Sequence, residues 1–218
     1  MFYILGSILN GKSLLRALMN AEAANFSLIG KVLDIGGGKG PSYLEFFKKG
    51  EDFQYESLDI SYEAGSTGRR RIDIEKEKMP YGDASVDAVL MFNILEHIYN
   101  YHHAVVEAKR VLKNDGQFIG FVPFLLNYHP DPHDYFRYTK ESLQRIFVEA
   151  GFKNISIKLI GKGPFFINFN NLLGVARPLR FLLAFLFPLY NLADYFYLKL
   201  RPAARDRYPL GYFFVVLM

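Results

Sequence analysis

Residues 31–41 read Lys-Val-Leu-Asp-Ile-Gly-Gly-Gly-Lys-Gly-Pro, and they hold the most chemically suggestive spacing in the chain. Asp34 lies inside an apolar run, where an unpaired carboxylate is costly to bury. Gly36, Gly38 and Gly40 follow at alternate positions. Glycines let the backbone turn sharply and leave no side chain between it and a ligand. A second acid, Asp59, stands 19 residues beyond Gly40. That is about the separation at which an acid accepts hydrogen bonds from a ribose diol. Further on, residues 127–138 form a polar, irregular stretch holding His129, His133, Asp134, Tyr135 and Arg137. Histidine titrates near neutrality and suits the removal of a proton from a hydroxyl, so His129 and His133 are the candidate bases. Tyr135 and Arg137 could orient an acidic or phosphorylated group. The same residues would also serve as turn caps beside Pro130 and Pro132.

The spacing excludes two common ligands. A dinucleotide fingerprint needs a third glycine at position 41, which is Pro41. No stretch matches the G-x-x-x-x-G-K-[ST] phosphate loop. Glu96, His97, His129 and His133 could converge on a divalent metal, but their spacing matches no dedicated metal motif, so no metal is expected.

These residues need elements to hold them. Val32, Leu33 and Ile35 predict a buried strand, and Pro41 suits the first turn of a helix carrying Tyr43, Leu44, Phe46 and Phe47. A second strand is expected over 53–60, with Asp59 at its carboxyl end. Arg69, Arg70 and Arg71 read as a solvated charged loop beside acids at 73, 75 and 77, and 72–74 as a third strand end. A fourth strand over 88–92, a helix over 103–112 and a fifth strand over 117–123 follow. Ser13 predicts the cap of a helix over 13–26, and Thr139 that of a helix ending at Gly151. Strands over 152–161 and 211–218 close the series.

Taken together, the motifs carry a family resemblance. Asp-x-Gly-x-Gly-x-Gly from Asp34 resembles motif I of the class I S-adenosylmethionine-dependent methyltransferases. Asn-Ile-Leu-Glu-His-Ile at 93–98 resembles the signature of the type-11 and quinone-biosynthesis members. Residues 79–87 and 110–116 resemble that family's runs into its fourth and fifth strands, with Val86 where phenylalanine is usual. The resemblance implies an α/β fold: a doubly wound, seven-stranded, mostly parallel sheet with the last strand antiparallel and helices on both faces. It implies S-adenosylmethionine as cofactor. Asp34 would then suit the cofactor's ammonium and sulfonium, and Asp59 its ribose. Ile60 would lie against adenine and Asp73 would read the adenine amino group, with Ile74 and Asn93 in the same cofactor-binding set. In this family a helix before the first strand, here 13–26, often closes over the cofactor. The ends of strands four and five would face the transferred methyl, with a hydroxyl oxygen as the expected acceptor atom.

Composition sets the wider bounds. At 218 residues, with half of them apolar and 17% aromatic, one domain with a sizeable core is expected. Cysteine is absent, which excludes disulfides and thiolate sites and fits a reducing cytoplasm. Residues 1–10 are apolar without a basic leader, so no secretory signal is expected. The net charge of +4 is local: 177–207 holds six basic residues and two acids, and the remaining 20 basic and 20 acidic residues balance. A nucleic-acid surface across the domain is therefore not expected.

Residues 1–30 would form an N-terminal helical cap. Residues 162–210 are too long for a connection and read as an aromatic, helical insertion. Its uncharged runs, 163–176 and 181–193, are 14 and 13 residues long, short of the roughly 20 that cross a bilayer. Apolar faces edged by Arg177 and Arg180 suit helices lying on an anionic membrane surface through 163–207, at the inner face of the membrane. A lid, packing on the domain and a homodimer contact stand as alternatives. The expected partner is a small-molecule or lipid-linked acceptor. A catalytically silent binding scaffold and an NAD-dependent oxidoreductase are the competing functions, the latter disfavoured by the glycine spacing.

Overall fold

Two strands that are apolar almost throughout set the middle of the molecule: β2 (Lys31–Ile35) and β6 (Val86–Phe92). Such runs need cover on both faces, which is the environment of a parallel sheet. In a computed structural model, which describes residues 2–38, 40–63 and 68–218 apart from the Arg177 side chain, both lie in a seven-stranded sheet. Its order is β5-β4-β2-β6-β7-β9-β8, with β4 (Gln54–Asp59), β5 (Arg69–Arg71), β7 (Leu112–Pro123), β8 (Asn154–Ile160) and β9 (Gly211–Leu217). Only β9 runs antiparallel to its neighbours, as the resemblance implied. A two-stranded ribbon, β1 (Ser27–Leu28) with β3 (Lys48–Lys49), stands apart.

Side chains alternate across a strand, so neighbours in one strand enter different cores. Leu33, Val89, Met91 and Phe118 pack under α3 (Tyr101–Val111) and α4 (Lys140–Glu149). Val32, Leu90, Ile119 and Phe121 pack under α2 (Leu14–Ala23) and α5 (Pro164–Val175). Ser13 and Thr139 cap α2 and α4 as expected, accepting from Arg16 N and Ser142 N at 3.1 Å each.

Three expectations are corrected. Residues 41–47 form turns, not a helix, closed by Leu44 N to Pro41 O and Phe46 N to Tyr43 O. The ribbon claims Lys48 at once, leaving too few residues for two helical turns. Arg69–Arg71 is not a loop but an edge strand, parallel to β4, whose exposed charges discourage further pairing. Finally, α3 runs directly into β7 at Leu112, with the extra residues absorbed at a register shift opposite β6.

The insertion holds α5, α6 (Arg180–Ala184) and α7 (Phe187–Leu200). Asp194 ends the uncharged run in the sequence, yet its side chain is fully buried. It accepts from Phe165 N at 3.1 Å and Phe166 N at 2.8 Å, capping α5 from a distant helix. A Cβ on Gly163 would come within 2.3 Å of that carboxylate. Because the charge turns inward, Arg180–Leu200 forms 21 residues of nearly unbroken helix, long and apolar enough by length and composition to cross a membrane. This corrects the expectation drawn from uncharged runs alone. Little of that stretch is buried, and Phe181, Leu182, Phe185, Leu189, Phe196 and Leu200 all stand more than half exposed. Arg180 is not on that face: its guanidinium donates to Gly11 O and pins α6 to the turn before α2. The Arg177 side chain lies outside the described residues.

Candidate active site

The chain leaves β2 toward β4 on one side and returns to β6 on the other, so the connections diverge above these carboxyl ends and leave a crevice. The glycine turn forms its floor. Gly36 has φ +74°, and a Cβ there would lie 2.0 Å from the Ile94 side chain. Gly37 is the glycine that spacing alone did not single out. A Cβ on it would meet Asp34 Oδ2 at 2.5 Å, Ser57 Oγ at 2.8 Å and the Tyr55 hydroxyl at 2.9 Å. A Cβ on Gly40, by contrast, would meet nothing within 4 Å.

Asp34 lies behind this turn and does not line the crevice. Its buried carboxylate accepts from Tyr43 Oη at 2.7 and 2.8 Å and from Tyr55 Oη at 2.7 Å. That corrects the role implied for it: it supports the turn from beneath, where it has no line to a cofactor cation. Burial pushes its pKa up to about 7, against the two tyrosine hydrogen bonds. Asp59 does reach the turn. Its Oδ2 accepts from Gly38 N at 3.1 Å and its Oδ1 from Ser61 N and Oγ at 2.8 and 2.6 Å. Tyr62 Oη donates to Gly38 O, so both backbone polar groups of that glycine are held.

Ile60 is 54% exposed just beyond Asp59. Asp73 accepts from Glu75 N at 3.1 Å and pairs with Lys76 at 3.0 Å, and Ile74 packs on the core. None of Asp34, Asp59, Ile60, Asp73 and Ile74 lines the cavity over the turn, so the structure does not bring the three acids together in one cleft as expected; Asp59 reaches it only through Gly38 N. The carboxylate of Asp73 turns into its own loop because the backbone N–H two residues on and the Lys76 ammonium compete for it. Asn93 does line the crevice, with φ +54°, a conformation asparagine tolerates.

A cavity of about 670 Å³ lies over the turn. Met19 and Arg16 of α2 roof it, Asn93 and Ile94 form one side, and His97 and His129 close its far end. A second cavity of about 640 Å³ adjoins it, sharing Ser13 and Leu126, and is lined by Phe124, Ile167, Leu173 and Val175 beside Arg180.

At the far end stands a group that linear spacing could not show, because its members come from two strand ends. Glu96 and His97 follow β6 and His129 follows β7, and their ligand atoms lie within 4.8 Å of one another. Glu96 is fully buried, and neither carboxylate oxygen has a hydrogen-bond partner among the described residues. The Glu96 carboxylate 3.8 Å from His129 Nε2 holds that imidazole above its usual pKa, with burial opposing.

The loop after β7 is built around Asp134, whose side chain is 1% exposed. It accepts from both Arg137 guanidinium nitrogens and from His129 N at 2.9 Å. Arg137 holds Asp134 far below the usual carboxylate range. The guanidinium is thus engaged within the loop, which corrects its expected role in orienting an acceptor. The His133 imidazole is exposed and lies against Tyr135, which is 41% exposed and turned toward Tyr99. Neither ring lines the cavity; what His133 contributes there is its carbonyl, which holds His97 Nδ1.

Residues 33–120 match the family model described as a methyltransferase domain. An uncharacterised protein of Methanocaldococcus jannaschii is 37% identical over 91 residues, 40% of this chain and 38% of that one. A probable S-adenosylmethionine-dependent methyltransferase of Mycobacterium tuberculosis is 27% identical over 93 residues, 40% of this chain and 34% of its own length. The matched stretch thus spans little more than a third of either relative. Over full length, the crystal structure of an S-adenosylmethionine-dependent methyltransferase from Archaeoglobus fulgidus superposes with TM-score 0.61 at 16% identity, covering 100% of this chain and 99% of that one. At that identity the likeness is one of fold.

Proposed function

We propose that the chain is a class I S-adenosylmethionine-dependent methyltransferase, a reading supported by the family-model match over 33–120 and by the fold, and that it moves a methyl group from S-adenosylmethionine to a hydroxyl of an acceptor carrying an apolar tail. The observation that carries this is the first cavity, which joins the glycine turn at one end to Glu96, His97 and His129 at the other. Asp59, at the Gly38 edge of the turn, would hold the cofactor's ribose, and Asn93 would line the space where the methyl is transferred. Methyl transfer is an in-line displacement: the acceptor oxygen bonds to the methyl carbon, the carbon–sulfur bond breaks, and S-adenosylhomocysteine leaves. Much of the acceleration comes from holding oxygen, carbon and sulfur in line. The acceptor must also lose its proton, and the histidine-rich end of the cavity is where it would do so. Calorimetry is expected to show S-adenosylhomocysteine binding with no response to NAD. A chain that ignores S-adenosylhomocysteine overturns the reading.

The second cavity supports the tail. It continues from the first and opens beside Val175 and Arg180, at the edge of the exposed apolar face of α6 and α7. Lys199, Arg201, Arg205 and Arg207 stand exposed at the end of α7 and beyond. The inner side of this pair packs on α5 through Phe187, with its ring 5.7 and 5.5 Å from Phe166 and Phe169. The helices would therefore lie in an anionic membrane surface rather than cross it. Co-sedimentation with phosphatidylserine vesicles is expected at low salt and lost at high salt. Since each basic residue near such a surface is worth about 1 kcal/mol, a Lys199→Ala, Arg201→Ala, Arg205→Ala triple variant should bind up to about 100-fold more weakly. A chain that dimerises and leaves vesicles alone would make this face a contact between copies instead.

A further inference from the structure

We propose that Glu96, His97 and His129 form a two-histidine, one-carboxylate site for a divalent first-row cation. The argument starts from the outer nitrogens. His97 Nδ1 meets the His133 carbonyl, and His129 Nδ1 lies 2.9 Å from the Asn127 carbonyl. A carbonyl only accepts, so both Nδ1 atoms carry the proton. The Arg137 guanidinium also approaches His129 Nδ1, but at 3.3 Å, and the nearer carbonyl decides the tautomer. In the neutral ring each Nε2 is then left with a lone pair, and these lie 3.7 and 3.8 Å from Glu96 Oε1.

Two lone pairs and a buried carboxylate thus face one another. The separations are too long for hydrogen bonds. They are close to those of ligands around a shared ion: bonds of about 2.1 Å in a tetrahedron put ligand atoms about 3.4 Å apart. The two carboxylate–imidazole separations need shorten by only about 0.4 Å, and with all three ligand atoms within 4.8 Å the two imidazoles need approach by at most about 1.4 Å. Their supports are also those of a metal centre, where each ligating histidine donates its other N–H to a carbonyl. Glu96 is held from outside through its own carbonyl, which accepts from Tyr135 N at 2.8 Å. The donor set of two imidazoles and one carboxylate, without thiolate, suits zinc, manganese or iron(II) over calcium or magnesium.

The site faces the cavity, since His97 and His129 line its wall. A cation there keeps an open position toward the acceptor. It would take the acceptor oxygen as a further ligand and lower the pKa of the hydroxyl, so that the proton passes to water in the cavity before or as the oxygen bonds to the methyl carbon and the carbon–sulfur bond breaks. This catalytic part rests on the methyl-transfer reading; the binding of the cation does not.

The test is a Co²⁺ titration of the chelator-treated full chain, read by visible absorption. One saturable equivalent is expected, with the colour displaced by Zn²⁺. Glu96→Gln and His129→Ala should each weaken binding at least about 100-fold, beyond the effect of changing a supporting residue. His102→Ala, an exposed histidine on α3, should change nothing. Absence of a saturable equivalent overturns the proposal, as does wild-type binding by His129→Ala. If Glu96→Gln fails to fold, His129→Ala decides, since its loop is surface-exposed. Calorimetry with S-adenosylhomocysteine on the same preparations separates the two readings. Cofactor binding without Co²⁺ binding sinks only the cation site, and Co²⁺ binding without cofactor binding sinks only the transferase. For the catalytic part, turnover should fall on chelation and return with Zn²⁺ or Mn²⁺; unchanged turnover overturns it.

Discussion

Gly37→Ala is expected to lower the affinity for S-adenosylhomocysteine by a factor of about 100 or more. The added methyl would lie 2.5 Å from Asp34 Oδ2, 2.8 Å from Ser57 Oγ and 2.9 Å from Tyr55 Oη. None of these atoms can swing clear. Asp34 is fully buried and bonded to two tyrosines, and Ser57 is buried in β4 with its hydroxyl 2.9 Å from Tyr62 Oη. The turn itself must therefore shift, carrying Gly38 away from Asp59. Overpacking of this kind typically costs about 1–3 kcal/mol of stability as well. Calorimetry measures the first effect and a thermal melt the second. Gly40→Ala, whose methyl meets open space, should leave the melt unchanged. Wild-type affinity in Gly37→Ala would show that the turn is not where the cofactor binds.

Replacing Asp34 should change how stability depends on pH. Its folded pKa is about 7, above the unfolded value of 3.8. Between those values the folded chain holds a proton that the unfolded chain has released, so stability falls as pH rises through this window and levels off above it. At 1.36 kcal/mol per pKa unit, the full loss from this one group is about 4 kcal/mol. Asp134, Glu107 and Asp87 have lowered pKa values and oppose the trend. The measurement is therefore a difference: urea unfolding of wild type and Asp34→Asn at pH 5 and pH 8. The amide introduced by Asp34→Asn keeps a carbonyl to accept from the tyrosines and has no charge to bury. The variant should gain on the wild type by about 2.5 kcal/mol between the two pH values, the part of the window that lies above pH 5. Parallel pH profiles would mean that Asp34 titrates as an ordinary carboxylate.

Much of the frame was legible because local rules and global demands agree. The apolar strands at Val32–Ile35 and Ala88–Phe92 can only be buried, and Ser13 and Thr139 cap helices wherever those helices pack. The acid at position 59 and the glycines before it were legible for the same reason: their spacing reflects one strand–turn–helix geometry. Where sequence reasoning failed, a contact distant in sequence had overridden a local preference. Residues 41–47 stop short of a helix because β3 pairs with β1. Three arginines read as a solvated loop become a strand because β4 offers them an edge.

The sequence by itself determined the family frame: seven strands, the glycine turn and the acid opposite it. It did so because each of these depends on residue types a few positions apart or on a separation set by one βα unit. The tertiary structure alone decided which atoms meet. It put Asp34 behind the turn, turned Asp194 inward so that α6 and α7 present an apolar face, and set Glu96 and His97 against His129. These outcomes turn on competition for hydrogen-bond partners and for buried space among segments far apart in the chain, and no linear spacing records that competition.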